Sequence, residues 1–142
     1  MMNSDILSSL SLGQKLIIIV LDNRGFGCIN RLQGACGGEP FNNLLDDGTL
    51  SSGDIPKVDF AAHAASMGAI GESVASLEEL AAALERAKKA DRTTCIAIDT
   101  NAVDSMGGGT WWQVGIPEVS EKPAVGKAKS NWQDNGRKQQ AY

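Results

Sequence analysis

From Lys15 to Asp22 the chain is almost wholly apolar, with Leu16 through Leu21 uninterrupted and rich in β-branched residues. No alternation with polar positions breaks the run, which predicts a parallel strand covered on both faces by helices. Before it, "NSDILSSLSLG" predicts a short helix capped by Asn3 or Ser4, reaching about Leu12 and stopped by Gly13. After it, residues 25–33 predict a short helix whose first turn is rich in glycine. Residues 34–57 carry many Gly, Asp and Asn without a clean period, and a loop of that length in a compact domain is usually functional or mobile.

Further along, "DFAAHAASMGA" predicts a helix of small residues with Asp59 or its neighbour at the N-terminus and Gly68 at the C-terminus. "AIGESVA" follows as a short strand. "SLEELAAALERAKKA" is the clearest helix: Ser76 and Glu79 form a capping box, and Leu77, Leu80, Leu84 and Ala87 make one apolar stripe. Arg86, Lys88 and Lys89 suit the negative end of its dipole. "TTCIAIDT" closes as a buried strand. Strand, helix, strand, helix, strand implies right-handed crossovers and an α/β fold in three layers, a mostly parallel sheet with helices on both faces. Beyond Asn101 the pattern weakens, through a loop with adjacent Trp111 and Trp112 into the polar "EKPAVGKAKSNWQDNGRKQQAY". That stretch reads as a surface-draped or frayed tail. The expected organisation is a domain over residues 1–100 and an extension with tail over residues 101–142.

Composition narrows the function classes. The 142 residues, 42% hydrophobic and 21% charged, suffice for one domain with a real core. A formal net charge of −4 disfavours nucleic acid or an anionic membrane as partner, since either calls for a concentrated basic face. The apolar run is too short to span a bilayer, and the N-terminus lacks the pattern of a signal peptide. Cys28, Cys36 and Cys95 are odd in number and scattered, which reads as free thiols in a reducing cytoplasm. With one histidine and no close cysteine pair, a zinc site is disfavoured.

The chemistry-bearing feature is the end of the first strand. Ligands of parallel α/β sheets gather at the carboxyl ends of strands, where Asn23 sits. The turn Arg24-Gly25-Phe26-Gly27 leads into a helix whose free N–H groups favour an anion, phosphate above all. An Asn side-chain oxygen and a nearby backbone carbonyl are hard donors suited to Mg²⁺. Together they read as a magnesium–diphosphate site. On the residues alone, Asn followed by glycines reads equally as a good turn. The dinucleotide fingerprint G-x-G-x-x-G fails, because its third glycine position is Asn30.

"LIIIVLDNRGFGCINRLQ" resembles the end of the thiamine-diphosphate-binding motif, which opens with Gly-Asp-Gly and closes with Asn. "GGEPFNN", "VDFAAHAASMGA", "CIAIDT" and "GGGTWWQVGIPEVS" resemble the C-terminal part of the thiamine-diphosphate-dependent ring-opening hydrolases of myo-inositol catabolism. The resemblance covers nearly the whole chain apart from the last dozen or so residues. It implies a thiamine-diphosphate-binding fold truncated at its N-terminal side. It implies Mg²⁺ held by the Asn23 side chain and the Gly25 carbonyl, with Arg24, Phe26, Gly27 and Asn30 around the cofactor and the loop from Gly34 through "PFNN" covering cofactor or substrate. The reaction implied is hydrolytic opening of a cyclic polyhydroxy 1,2-dione to 5-deoxy-D-glucuronate by a homo-oligomeric, cytoplasmic enzyme. The Gly-Asp-Gly element and the activating glutamate have no counterpart in this sequence. The expectation is therefore one piece of a longer enzyme, with no catalytic residue of its own, weak or undetectable cofactor binding, no activity in isolation, and a tendency to self-associate.

Other residues read as structural: His63 as a packing or surface histidine, Cys28 as a buried thiol, Trp111 and Trp112 as anchors of the tail or lining of an interface, and Arg86–Lys89 as a solvated helix end. Two other functions remain open at this level. One is an acetolactate-synthase-like carboligase using the same cofactor; the other is a non-catalytic α/β assembly module.

Overall fold

The computed structural model describes residues 3–45, 57–101 and 115–139. Their elements, in chain order, are α1 (Ser4–Ser11), β1 (Ile17–Asp22), α2 (Gly27–Ala35), α3 (Phe60–Ser66), β2 (Ile70–Val74), α4 (Leu77–Lys89), β3 (Thr94–Asp99) and α5 (Pro123–Lys138). The chain divides into two units, one of Met1–Asn23 with Pro56–Asn101, the other of Arg24–Ile55 with Ala102–Tyr142.

The first unit is built on three parallel strands in the order β1-β3-β2. The last strand in sequence thus lies in the middle, and there Thr94, Cys95, Ile96 and Ile98 are all buried. Register places Ile18 beside Cys95 and Ile19 beside Ile96. Register partners share a face of the pleat. On one face Cys95, Ile18 and Val20 pack with Ile6 and Leu10 of α1 and with Ala64 of α3. On the other, Ile96 packs with Ala83 and Ala87 of α4, supported by Val74 and Leu80. Helices therefore cover both faces, and the α/β reading holds.

The cover is uneven. On the Ile96 face, Ile17, Ile19 and Leu21 remain 38%, 43% and 63% exposed. Helix α4 packs through β2 and β3, so the strand expected to be covered on both faces is well covered on one. The α4 stripe also differs from its sequence pattern. Ala87 and Leu80 face the core as expected, but Ala83 is buried with them and Leu77 is 74% exposed. Small side chains let this helix approach the sheet closely, and the first turn lies outside that contact.

The expected cap of α1 is not made, since Asn3 is itself in the helical region and its side chain forms no cap hydrogen bond. The signals at α3 and α4 act as their chemistry dictates. The Asp59 carboxylate accepts from the Ala62 N–H at 2.8 Å and starts α3. The Ser76 hydroxyl accepts from the Glu79 N–H at 3.1 Å, while the Glu79 carboxylate takes the Ala75 N–H at 2.8 Å. Gly71 permits α3 to lie against β2, since a Cβ there would stand 2.7 Å from the Ala61 carbonyl carbon. The Lys15 ammonium donates to the carbonyls of Lys88 and Ala90 at 2.7 and 2.8 Å, satisfying the end of α4. Arg86 pairs with Glu72, which raises the guanidinium pKa above its ordinary value.

In the second unit, the polar stretch read as a tail contains α5, a helix of 16 residues with Pro123 in its first turn. Its only buried residue is Val125, so no apolar stripe announces it. Gly37, at φ 82°, brings the backbone so near α5 that a Cβ would stand 2.6 Å from Ala124 and Val125. Trp111, Trp112 and residues 46–56 of the long loop lie outside the described residues.

Candidate cofactor-binding site

The Thr100 N–H donates to the Asp22 carbonyl at 2.8 Å, so sheet pairing runs to the last residue of β1. Asn23 is the first residue beyond it, half-buried, and its side chain has no hydrogen-bond partner among the described residues.

The second unit opens with the turn itself. Arg24 has φ 56° and Gly25 φ 157°. Gly25 forms an antiparallel bridge with Leu44. The Phe26 N–H donates to the Asn43 carbonyl at 2.6 Å, and the Leu45 N–H donates to the Arg24 carbonyl at 2.9 Å. A Cβ on Gly25 would stand 2.7 Å from the Leu44 Cα, so glycine is required here by contact as well as by backbone angle. The bridge consumes the carbonyl of Arg24 and the N–H of Phe26. The Gly25 carbonyl takes no part in it and has no partner among the described residues. Helix α2 begins directly afterwards, with no side-chain cap from Phe26. The N–H groups of Gly27, Cys28 and Ile29 make no bonds outside the helix among the described residues.

These groups fit the expected ligands. An amide oxygen and an uncommitted backbone carbonyl are donors that Mg²⁺ accepts, and uncapped first-turn N–H groups favour phosphate oxygens. Arg24, Gly25, Phe26 and Gly27 are brought together in the second unit, while Asn23 belongs to the first. The loop expected to cover cofactor or substrate pairs with the turn through Asn43–Leu45. The Asn30 Oδ1 is buried without a hydrogen-bond partner among the described residues.

Sequence reading missed a cavity of about 610 Å³ in the first unit, at the carboxyl ends of the strands. Asp22, Lys57, Asp59, Phe60, Ser73 and Asp99 are among its lining residues, and Lys57 pairs with Asp99 at 2.8 Å. With carboxylates in excess of ammonium, that wall repels a diphosphate. The available signal was Asp99, which ends a buried strand as Asp22 does. His63 is exposed, as a surface histidine would be. Cys28 corrects its expectation: it lies in the first turn of α2 and is exposed, whereas Cys95 in the central strand is the buried thiol.

The family model described as thiamine pyrophosphate enzyme, C-terminal TPP binding domain, matches residues 1–98. A curated protein of Geobacillus thermodenitrificans, named 3D-(3,5/4)-trihydroxycyclohexane-1,2-dione hydrolase, is 40% identical over 141 residues, covering 95% of this chain and 22% of its own length. A Listeria monocytogenes protein of the same name is 38% identical, covering 100% of this chain and 22% of its own. A Bacillus cereus protein, named as hydrolase 2 of this type, is 36% identical with 100% and 23% covered. The chain thus spans about a fifth of the length of the curated relatives it matches. No solved structure matches it. With a diphosphate-compatible turn after β1 and most of its length matched by the family model, the chain belongs to the thiamine pyrophosphate enzymes, as their C-terminal cofactor-binding domain.

Proposed function

We propose that this chain anchors the diphosphate of thiamine diphosphate, through Mg²⁺, in a hydrolase that opens the ring of 3D-(3,5/4)-trihydroxycyclohexane-1,2-dione. The observation that carries the site is Gly25: its backbone is pressed against Asn43 and Leu44 while its own carbonyl stays out of the ladder. Asn23, two residues earlier, would supply a side-chain oxygen, and Mg²⁺ would complete its shell with phosphate oxygens and water. The first-turn N–H groups of α2 would receive the remaining phosphate charge, with Arg24 adding a cation and Phe26 an apolar wall.

When bound, the thiazolium supplies both a nucleophile and an electron sink for breaking a carbon–carbon bond. This chain's share is binding and orientation, and no catalytic residue is assigned within it. The substrate class follows from the names of relatives that cover 95 to 100% of the chain. The same reading takes the whole enzyme to be cytoplasmic and homo-oligomeric. Its support is the free thiols, together with the exposed Ile17, Ile19 and Leu21. Among the described residues no helix is long and apolar enough to cross a membrane.

The test is calorimetric titration of thiamine diphosphate with Mg²⁺ into this chain and into a form extended upstream through Gly-Asp-Gly, each with and without Asn23→Ala. Binding that the substitution weakens by about tenfold or more, the scale of a lost metal ligand, supports the site. Binding that ignores the substitution removes Asn23 from it.

A further inference from the structure

The turn at Arg24–Phe26 is held in an unfavourable shape. Arg24 at φ 56° and Asn42 at φ 50° both occupy the left-handed region, which is unfavourable for a non-glycine residue. Such angles persist only where the surroundings over-determine them. Here the two residues flank a short antiparallel pairing, Arg24–Phe26 against Asn43–Leu45, closed by the Phe26 and Leu45 N–H groups. Two backbone bonds are a thin restraint for a loop segment, and the side chains behind it supply the rest. The Asn43 Nδ2 donates to the Gln33 Oε1 at 2.5 Å. The Gln33 Nε2 in turn donates to the Glu39 carbonyl, and the Gln33 carbonyl accepts from the Gly38 N–H at 2.9 Å. Gln33 lies in the last turn of α2. One residue therefore ties the returning loop, at Glu39 and at Asn43, to the helix that begins at the turn.

We infer that Gln33 and Asn43 are positioning residues: their amide pair holds Asn43–Leu45 against the Arg24–Phe26 turn and so fixes the direction of the Gly25 carbonyl. The inference rests on the reading of Gly25 as a metal ligand. Neither amide is assigned as a ligand of the ion. Their effect passes through the Asn43 carbonyl, which receives the Phe26 N–H next to Gly25.

The experiment compares the unsubstituted chain with Gln33→Ala and Gln33→Glu. Glutamate keeps an acceptor for Asn43 but loses the donor to Glu39. Hydrogen exchange is read at the Phe26 and Leu45 amides, with the Thr94 amide, bonded to the Leu16 carbonyl, as a control in the sheet. Protection at Phe26 and Leu45 is expected to fall about five- to tenfold in Gln33→Ala, the scale of one or two lost hydrogen bonds. It should recover in part in Gln33→Glu, with Thr94 unchanged in both. Mn²⁺ binding in the presence of thiamine diphosphate, followed by electron paramagnetic resonance in the upstream-extended form, should weaken in the same order. Unchanged protection at Phe26 and Leu45 overturns the clamp. Loosened amides with unchanged Mn²⁺ affinity overturn its role at the metal. Absence of Mn²⁺ binding in every form overturns the metal reading itself, and the positioning role falls with it, an outcome distinguished by amides that still respond.

Discussion

The hydroxyls of Ser9 and Thr93 lie 2.7 Å apart, both buried, 84 positions apart in sequence. Thr93 Oγ1 also accepts from the Leu16 N–H at 3.1 Å, while Ser9 Oγ donates to the Ile6 carbonyl at 2.7 Å. A single hydroxyl thus joins the end of α1, the entry to β1 and the entry to β3. Thr93→Val keeps the shape but leaves the Leu16 N–H and the Ser9 hydroxyl short of a partner. The expected loss is about 1–3 kcal/mol of unfolding free energy, measured by urea denaturation. Thr93→Ser, which retains the oxygen, should lose less than half as much.

Two glycines should respond with opposite signs. Gly71 lies in β2 where the Ala61 backbone leaves no room for a Cβ, so Gly71→Ala must push α3 off the sheet and cost about 1–3 kcal/mol. Gly34 lies within α2, with nothing within 4 Å of a Cβ built on it and no positive φ. Gly34→Ala should therefore be neutral or stabilising by up to about 1 kcal/mol, because alanine restricts the unfolded chain and favours helix. Equilibrium denaturation of both variants checks the contrast. A stabilised Gly71→Ala would mean that α3 does not lie as close to β2 as the structure has it.

How far these features were legible depends on the range of the interaction that makes them. The caps at Asp59 and Ser76 are contacts within one turn of the chain, and both could be read directly. A parallel sheet was implied by alternation of strands and helices, but its order β1-β3-β2 was not. What could not be read is set by partners distant in sequence. Leu77 fits the same helical stripe as Ala87, yet it stays exposed while Ala83, outside that stripe, is buried. Ile19 and Ile18 are the same residue type in the same strand, yet α1 and α3 shelter Ile18 while Ile19 stays open. The helix α5 escaped because its anchor is a backbone approach at Gly37, which carries no hydrophobic signature. At the site, Asn23 and the glycines were legible as types in a pattern. The role of Gln33 and Asn43 was not, because amides at those positions have no meaning until the loop has returned to the turn.

The three cysteines should separate by reactivity. Cys28 is exposed, Cys36 half-buried and Cys95 buried, and burial pushes the Cys95 thiol pKa up. Under native conditions a thiol reagent should label Cys28 rapidly and Cys95 only on unfolding. The sign of the linkage follows: the folded state holds the Cys95 proton more firmly than the unfolded chain, whose thiol titrates near about 8.5. Its contribution to stability is complete below that value and is lost as pH rises through it toward the higher folded value. Denaturation midpoints should fall between about pH 8 and 10 in the parent, and this part of the slope should vanish in Cys95→Ala. A slope that persists unchanged in that variant would assign it to another group.

Gly25 is the position where fold and proposed function meet most directly. Its φ of 157° and the Leu44 Cα 2.7 Å from a built Cβ mean that Gly25→Ala cannot be accommodated without parting the Arg24–Phe26 and Asn43–Leu45 segments. The strain expected is about 1–3 kcal/mol, and it falls on the second unit, which contains both segments. The first unit, with β1, β2 and β3, should be untouched, so the slow labelling of Cys95 should persist. The Gly25 carbonyl, however, would turn as the segments part. In the upstream-extended form, affinity for thiamine diphosphate with Mg²⁺ should then fall by about tenfold or more, the factor that 1.4 kcal/mol represents, while Gly34→Ala leaves it unchanged. Retained affinity in Gly25→Ala would show that the ion is held elsewhere and that Gly25 is required only by the turn.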